Sequence, residues 1–528
     1  MIKKVGLAVL SGVLFFLSWP TYGFPFLAFL GFVPLLILAF QERQSKTKYR
    51  NWRVFALAYL AFFIWNIGTT YWLYFSTPFG AAFAIFVNSL LMALVFQIYH
   101  IIAYKVNFTA SMSFFIGIWL SFEKMHLAWE FSWPWLNLGN VFSEYTAAVQ
   151  WYEYTGSFGG SLWVLLMNAF IFKSILLYQQ HRERAIIYRR SFYSILLILV
   201  PIGLSLIIKG YQPKKYNTYK KVLIVQPNID PYEEKYDLDD DEIKRMILKR
   251  TRSKLNDSID LLLLPETVFA NGTRMHQLQN APISQMTDEL QDRYPNLNVL
   301  SGISMYKIIR DEKHTSAQSN FLREGIWFND YNAAYFKKPD TASGLYYKSK
   351  LVVGVENFPY KSTLEPILGD LMIDLGGTVA MKTTQDDREV FTLSDGTKTA
   401  PIICYESVYG AYVGGYVKNG ADFLSIITND AWWKDTQGHQ QHWSYAKLRA
   451  IEMRKSIVRS ANTGISGAIN PYARVLNKTN YNEPAVISVA IPIEQKRTFY
   501  ADHGDYIARI GQFFTLAIFM IAVFKRKR

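Results

Sequence analysis

Cysteine is almost absent from this sequence of 528 residues, where Cys404 is the one example. That excludes an internal disulfide and a cysteine-rich metal centre, and leaves the thiol as either a reactive group or a small core residue. Charge is scarce too: 19% of residues are charged against 50% apolar and 16% aromatic, and the mean hydropathy of +0.05 averages a greasy part with an ordinary one. Neither a disordered chain nor a single soluble domain has that composition. Acids are the minority sign, 42 Asp+Glu against 56 Lys+Arg for a net +14. Whether that excess is meant for nucleic acid depends on where it lies.

What the sequence does have is long uncharged runs. Val5 to Gln41 is too long for one membrane crossing and is interrupted by Pro20, Gly23 and Pro25, so it predicts two helices around a tight turn. A second apolar segment follows at once without a small-residue cleavage site, unlike a cleaved signal peptide. Val54 to Tyr104, broken at Ser76-Thr77-Pro78-Phe79-Gly80, predicts two more helices. Val106 to Phe122, about Gly159 to Tyr178, Ser191 to Ile208 with a kink at Pro201, and Tyr506 to Phe524 bring the expectation to eight. With the N-terminus in the cytoplasm, sixteen basic residues fall on the cytoplasmic side: Lys3, Lys4, Arg43, Lys46, Lys48, Arg50, Arg53, Lys105, Arg182, Arg184, Arg189, Arg190 and the four of 525–528. The short loops opposite hold only Lys124, so the positive-inside rule sets this orientation. Much of the net charge is therefore topological, and nucleic acid has no part in the account.

The expected organisation is a seven-helix membrane domain over 1–212, a soluble domain over 213–502 outside the cytoplasm, and a last helix with a basic cytoplasmic tail over 503–528. The middle segment has α/β texture. Apolar runs at Val222-Val225, Leu261-Leu264, Val299-Ser304, Ala400-Cys404, Phe423-Thr428 and Val486-Ile491 read as strands. Helical patterns lie at about Asp239-Asn256, Val408-Lys418 and Gln440-Lys455. Asp239-Asp240-Asp241-Glu242 suits the positive end of a helix dipole; no Gly-containing loop follows to make it a calcium site. Lys244, Arg245, Lys249, Arg250 and Arg252 read as a solvated helix face, with anionic headgroups as the lesser reading.

Three strand ends carry reactive residues: Leu264-Pro265-Glu266, Tyr347-Lys348-Ser349-Lys350 and Ile403-Cys404-Tyr405-Glu406. A carboxylate and an ammonium beside greasy strands need polar partners. Cys404 precedes a helical stretch, whose N-terminus is expected to favour thiolate over thiol. A thiolate nucleophile, a carboxylate base and an ammonium facing an oxyanion would make an acyl-transfer site.

Glu266, Lys348 and Cys404, each in its own strand-end setting, resemble the carbon–nitrogen hydrolase (nitrilase) superfamily. Eight membrane segments with such a domain before the last one are similar to its apolipoprotein N-acyltransferase family. Finer matches are Val225-Gln226-Pro227-Asn228-Ile229, Leu264-Pro265-Glu266-Thr267, Cys404-Tyr405-Glu406, Thr428-Asn429-Asp430-Ala431-Trp432-Trp433, Arg459-Ser460-Ala461-Asn462-Thr463-Gly464-Ile465-Ser466 and, in the membrane part, Trp133-Pro134-Trp135-Leu136. The resemblance implies an αββα sandwich and a ping-pong transfer of an acyl chain from a phospholipid to the α-amino group of a diacylglyceryl-cysteine lipoprotein. It implies a monomeric enzyme in the bacterial inner membrane with no cofactor or metal, Glu266 as base, Cys404 as nucleophile and Lys348 at the oxyanion. Glu356, Glu406 and Tyr405 would support them. The sequence departs from the family's Lys-x-x-Leu-Val-Pro-x-Gly-Glu, reading Lys348 to Leu351-Val352-Val353-Gly354-Val355-Glu356, without the proline and with the glycine displaced by one. Lys350 competes with Lys348, which keeps the spacing to Leu351-Val352.

Several features have two readings. Trp129, Phe131, Trp133, Trp135, Trp151 and Tyr152 suit either an interfacial lid or floor for a lateral opening that admits acyl chains or an aromatic belt at the headgroups. Trp432 and Trp433, with Tyr405, line an acyl route or simply pack. His439 and His442 are spaced for a metal but have no third ligand, so hydrogen bonding or packing at a helix start is expected. His100 is placed near headgroups rather than in a proton relay. Two rival functions remain, a membrane-anchored amidase and a transporter or scaffold that has lost catalysis. Eight helices have no use in the first, and an intact Glu-Lys-Cys set with almost no charge inside the helices speaks against the second.

Overall fold

The computed structural model describes residues 1–230, 238–366 and 380–524, so the expected basic tail at 525–528 lies outside the described residues. The chain divides into two compact units: Met1–Tyr74 with Pro78–Gln212 and His503–Arg528, and Phe75–Thr77 with Pro213–Asp502.

The first unit is helical. Its main helices are Ile2–Leu17, Val33–Gln44, Arg50–Thr70, Pro78–Ile102, Phe108–Met125, Ser157–His181, Arg184–Gly210 and Tyr506–Phe524. Among the described residues six segments are long and apolar enough to cross a membrane; Ile2–Leu17 and Phe108–Met125 are not among them. The helices pack through aromatic rings. Phe15 stacks on Trp65 at 4.3 Å, and Trp119 receives Phe32 at 4.6 Å and Phe62 at 5.5 Å.

Where helices break, side chains satisfy the freed backbone, as a greasy surrounding demands. Asn168 donates to the carbonyls of Ala28 and Val164 at 2.8 Å and accepts from the Phe32 N–H at 2.8 Å. Pro201 lies inside Arg184–Gly210 and cannot donate to the Leu197 carbonyl; the Trp163 indole does so instead at 2.8 Å. Glu42 is buried at the end of its helix and takes Lys4 at 2.6 Å, while Lys124 pairs with Asp505 at 2.8 Å. His100 is fully buried near the end of helix Pro78–Ile102, 3.3 Å from the Tyr104 hydroxyl.

The second unit is a two-sheet sandwich. In chain order its strands are β1 (Tyr219–Gln226), β2 (Leu261–Leu263), β3 (Phe269–Arg274), β4 (Asn298–Ile309), β5 (Asn320–Arg323), β6 (Ile326–Lys337), β7 (Gly344–Tyr347), β8 (Phe391–Thr392), β9 (Lys398–Ile403), β10 (Phe423–Thr428), β11 (Ser456–Ala461), β12 (Gly467–Ile469), β13 (Val475–Lys478) and β14 (Ala485–Pro492). One sheet runs β14-β1-β2-β4-β6-β5, with β3 on β4 and β7 on β6; the other runs β13-β12-β11-β10-β9-β8. β1, β2 and β4 are mutually parallel, as are β9, β10 and β11. The core outside the first sheet sets Leu223, Leu262 and Val299 against Ile243 and Ile247 of helix Asp240–Thr251 and Met286 and Leu290 of helix Pro282–Arg293. Asp239 caps the first of these helices in a reciprocal box with Glu242, so the acid run is a helix start.

Two of the sequence motifs hold the sheets together. Ser460 of β11 donates to the Val225 carbonyl of β1 at 2.6 Å, and Asn462 exchanges bonds with Ile229. Gln226, fully buried, accepts from Ser466 and Thr479 and donates to the carbonyls of Asn480 and Glu483. The parallel strands therefore finish side by side, where an α/β sheet places its ligand crevice.

Candidate active site

Glu266 is delivered by the turn after β2. Gly302 of β4 lies so close beneath that turn that a Cβ there would meet the Thr267 nitrogen at 2.3 Å and the Glu266 Cα at 2.5 Å. Only glycine permits the approach. The carboxylate is 6% exposed, and its Oε2 accepts from the Asn429 backbone N–H at 3.1 Å, at the end of β10. Its Oε1 accepts from Lys348 Nζ at 3.0 Å and Asn332 Nδ2 at 2.8 Å.

Lys348 follows β7 and is 2% exposed, with its ammonium between Glu266 and Glu356; Glu356 offers both oxygens at 2.9 Å. Burial would lower the lysine, but the two carboxylates outweigh it and hold the ammonium well above its ordinary range. Burial would likewise raise Glu356, yet Lys348 and the donors Val352 N–H and Asn332 keep it below the usual carboxylate range. Lys350 goes elsewhere, over the rings of Tyr409 and Tyr412 at 5.3 and 5.8 Å.

Cys404 follows β9 in a left-handed conformation, φ +48°, which for a residue with a Cβ costs roughly 1–3 kcal/mol. It opens a 3₁₀ turn, Cys404–Val408, and the α-helix begins only at Gly410. The expected thiolate-favouring helix end is therefore missing. Burial pushes the thiol up, the Glu266 carboxylate pushes it further, and Lys348 only partly offsets them. The resting group is a thiol with base and ammonium close enough to act on it electrostatically.

Glu406 joins the two halves. Its Oε2 accepts from the Ile403 N–H at 2.8 Å, just before Cys404, and its Oε1 accepts from the Ser349 N–H at 2.7 Å, just after Lys348. Hydroxyls of Tyr346 at 2.6 Å and Tyr412 at 3.0 Å complete the shell around Oε1. Burial raises this carboxyl in spite of those donors. Tyr405 packs edge-on to Tyr409 at 5.3 Å.

The aromatic candidates divide. Trp432 and Trp433 are half-buried in the turn Ala431–Trp433, with Trp433 edge-on to His442 at 5.6 Å. In the helical unit Trp135 is buried between Trp133 at 6.0 Å and Trp72 at 5.0 Å, and Trp151 and Tyr152 are buried as well. Those three are core residues rather than a free lid; Trp129, Phe131 and Trp133 keep partial exposure.

Comparison with known proteins supplies the family. The family model described as apolipoprotein N-acyltransferase N-terminal domain matches residues 11–170, and that of the carbon-nitrogen hydrolases matches residues 221–500. The chain belongs to the apolipoprotein N-acyltransferase family of the carbon-nitrogen hydrolases. An apolipoprotein N-acyltransferase of Chlorobaculum tepidum is 27% identical over 526 residues, spanning 96% of this chain and 94% of its own. Apolipoprotein N-acyltransferase 1 of Treponema denticola is 26% identical over 525 residues, spanning 95% and 92%. Among solved structures, Saccharomyces cerevisiae Nit3, a member of branch 10 of the nitrilase superfamily, is 12% identical with a TM-score of 0.36, over 53% of this chain and 92% of its own.

As a member of this acyltransferase family, the chain departs from the expected loop around its lysine, and the geometry shows what the departure leaves intact. Without the proline, Leu351-Val352-Val353-Gly354-Val355-Glu356 still turns Glu356 back onto Lys348, with Gly354 at φ +75°. Asn332, which bridges the two carboxylates, went unnoticed in the sequence. It stands opposite Ser304 in the β4–β6 register, and only that pairing brings it to Glu266. Its one local signal is an amide at the head of the apolar run Ala333-Ala334-Tyr335.

Proposed function

We propose that this membrane-embedded acyltransferase moves an acyl chain from a phospholipid to the α-amino group of a diacylglyceryl-cysteine at a lipoprotein's N-terminus. Glu266, Lys348 and Cys404 carry out the chemistry. The observation that carries the reading is the buried ammonium of Lys348, 3.0 Å from Glu266 and 2.9 Å from Glu356, beside a lone cysteine held in a left-handed turn. Ion pairs this dry are expensive, and active sites are where such groups collect.

In the first half-reaction Glu266 takes the proton from the Cys404 sulfur as that sulfur bonds to the ester carbonyl carbon. The carbonyl π electrons move to oxygen, and Lys348 stabilises the resulting oxyanion. Protonating Glu266 also frees the ammonium from one of its two carboxylates when the new anion forms. The oxyanion then collapses, the ester C–O bond breaks, and Glu266 returns its proton to the departing lysophospholipid oxygen. A thioester remains. In the second half-reaction the lipoprotein amine attacks the thioester carbonyl, Glu266 accepts the amine's proton, the C–S bond breaks and the sulfur is reprotonated. Because burial and Glu266 hold the sulfur as a thiol at rest, nucleophile and acid form only against a bound ester.

Both substrates carry long acyl chains whose removal from a bilayer costs about 0.8 kcal/mol per CH₂, which gives the helical unit its purpose. The excess of basic residues expected on the cytoplasmic side supports a location of the α/β unit, 213–502, on the extracytoplasmic side of the bacterial inner membrane. The partly exposed aromatics Trp133, Trp432 and Trp433 are candidates for the acyl route. The amidase alternative is less well supported, because relatives matching along the whole chain are named acyltransferases.

The test is to incubate the protein with phospholipid vesicles and read Cys404 by intact mass. An acyl adduct that mild hydroxylamine releases, and that a lipoprotein peptide discharges, is expected. A Cys404→Ala protein that still transfers acyl chains overturns the assignment.

A further inference from the structure

The chemistry above leaves a second buried polar group without a task. Ser407, Asp430, His442 and Arg459 are all nearly or fully buried, and they come from the turn after β9, the end of β10, helix Gln437–Met453 and β11. Arg459 Nη2 donates to Asp430 Oδ2 at 2.6 Å and lies 3.0 Å from His442 Nδ1. Asp430 Oδ1 is 2.9 Å from the same Nδ1, and His442 Nε2 is 3.0 Å from Ser407 Oγ. Ser407 Oγ in turn donates to the backbone carbonyl of Cys404 at 2.7 Å. A continuous line of hydrogen bonds thus ends on the backbone of the cysteine.

That terminus decides what the line can do. It stops at the carbonyl oxygen, so it offers no proton path to the sulfur. A serine hydroxyl has one proton; given to the Cys404 carbonyl, it leaves the oxygen as an acceptor, and His442 meets it with Nε2–H. With its proton on Nε2, the ring accepts from Arg459 Nη2 at Nδ1, and Asp430, held ionised by Arg459 against its burial, fixes the guanidinium that holds the ring. Asp430 also accepts from Thr428 Oγ1 at 3.0 Å, which fixes the carboxylate at the end of β10. Gly464 keeps the space clear, since a Cβ there would stand 2.9 Å from Asp430 Oδ2.

Left-handed backbone at a residue other than glycine persists only where its surroundings over-determine it. We infer that Ser407, oriented by His442 and Asp430, is a positioning residue that locks the left-handed turn at Cys404 and so aims the sulfur at the acyl carbonyl. The inference rests on the reading of Cys404 as nucleophile. It goes beyond that reading in assigning His442 and Asp430 to the geometry of the first half-reaction.

The test is single-turnover thioester formation on the full-length protein in phospholipid vesicles, followed by intact mass. Ser407→Ala is expected to slow adduct formation tenfold or more without changing the dependence on phospholipid concentration, and to melt within about 3 °C of the parent. His442→Gln, which keeps an N–H donor, is expected to retain more of the rate than His442→Leu at matched melting temperature. A Ser407→Ala protein that acylates at the parent rate overturns the inference, as do equal losses in the two His442 variants that merely track their melting temperatures. Failure of the underlying reading shows separately, as an unmodified Cys404 in the parent protein, and brings down both.

Discussion

In the helical unit, Glu42 and Glu123 are buried one at a time near helix ends. Glu42 takes Lys4, and Glu123 accepts from the Trp119 indole at 3.3 Å and the Leu138 N–H at 2.8 Å. In the α/β unit, buried ionisable groups crowd together: Lys348 touches two carboxylates, Arg459 and His442 share Asp430, and Cys404 lies in the field of Glu266 and Lys348. The first arrangement finishes a secondary-structure element with one carboxylate at a time, Glu42 between Lys4 and Arg53 and Glu123 among neutral donors. The second gathers mutually dependent charges at the ends of parallel strands, where removing one leaves others unpaired and dry. Buried charge alone is thus a poor sign of chemistry; buried charge in company at strand ends is a better one.

The sharpest way to break that contrast is at the sulfur. Cys404→Ala is expected to lower acyl transfer by ~10⁴-fold or more, read as lipoprotein N-acylation, with little change in melting temperature. Lys348→Met should follow, with a loss of about 10²–10³-fold and a lower melting temperature, since Glu266 and Glu356 are left without their shared cation. The matching change in the helical unit, Lys4→Met, should leave catalysis nearly intact.

Glu266→Gln separates base from field. Transfer should fall by about 10²–10⁴-fold. Yet removing that negative charge takes away a contribution that raises the thiol, so alkylation of Cys404 by iodoacetamide near pH 9 should become faster than in the parent. Slower alkylation in the variant would mean that Glu266 does not face the sulfur.

Glycine substitutions sharpen the comparison at smaller cost. Gly302→Ala pushes on the Glu266 turn and should lower activity more than stability, while Gly12→Ala, whose Cβ would meet the Ala61 carbonyl at 2.5 Å, should destabilise the helical unit by about 1–3 kcal/mol, seen as reduced melting temperature at unchanged kcat. The smallest effect belongs to Asp239→Ala, a lost helix cap worth about 1 kcal/mol, with unchanged activity.

Much of this architecture is written locally. β10 occupies the apolar run Phe423-Thr428, because a short β-branched stretch between Ala421-Asp422 and Asn429-Asp430 has few other options. Glu266, Lys348 and Glu356 come together in space; the first two are visible as polar residues closing or following an apolar strand, and Glu356 is legible only through the family motif. What stayed hidden depends on pairing across distance. β6 is rich in polar residues and does not alternate cleanly; it is a strand because β4, β5 and β7 bond to it. Helix Pro282–Arg293 hides behind an unremarkable mixed sequence and is fixed by Ile283, Met286 and Leu290 on the sheet. Asn332 and Ser407 act through partners from other elements, which no window of sequence contains. The expectation of a thiolate failed for a similar reason, since the chain after Cys404 is helical only from Gly410 and the sulfur is set by burial and Glu266.

The Glu406 carboxylate grips the backbone on either side of the gap between lysine and cysteine, one strand from each sheet. Such a crossbrace makes the spacing of the two working groups an internal dimension of the protein, set by two short bonds to one rigid group. Shortening that brace by one carbon, as in Glu406→Asp, would therefore let the lysine and the cysteine drift apart although neither working group is touched.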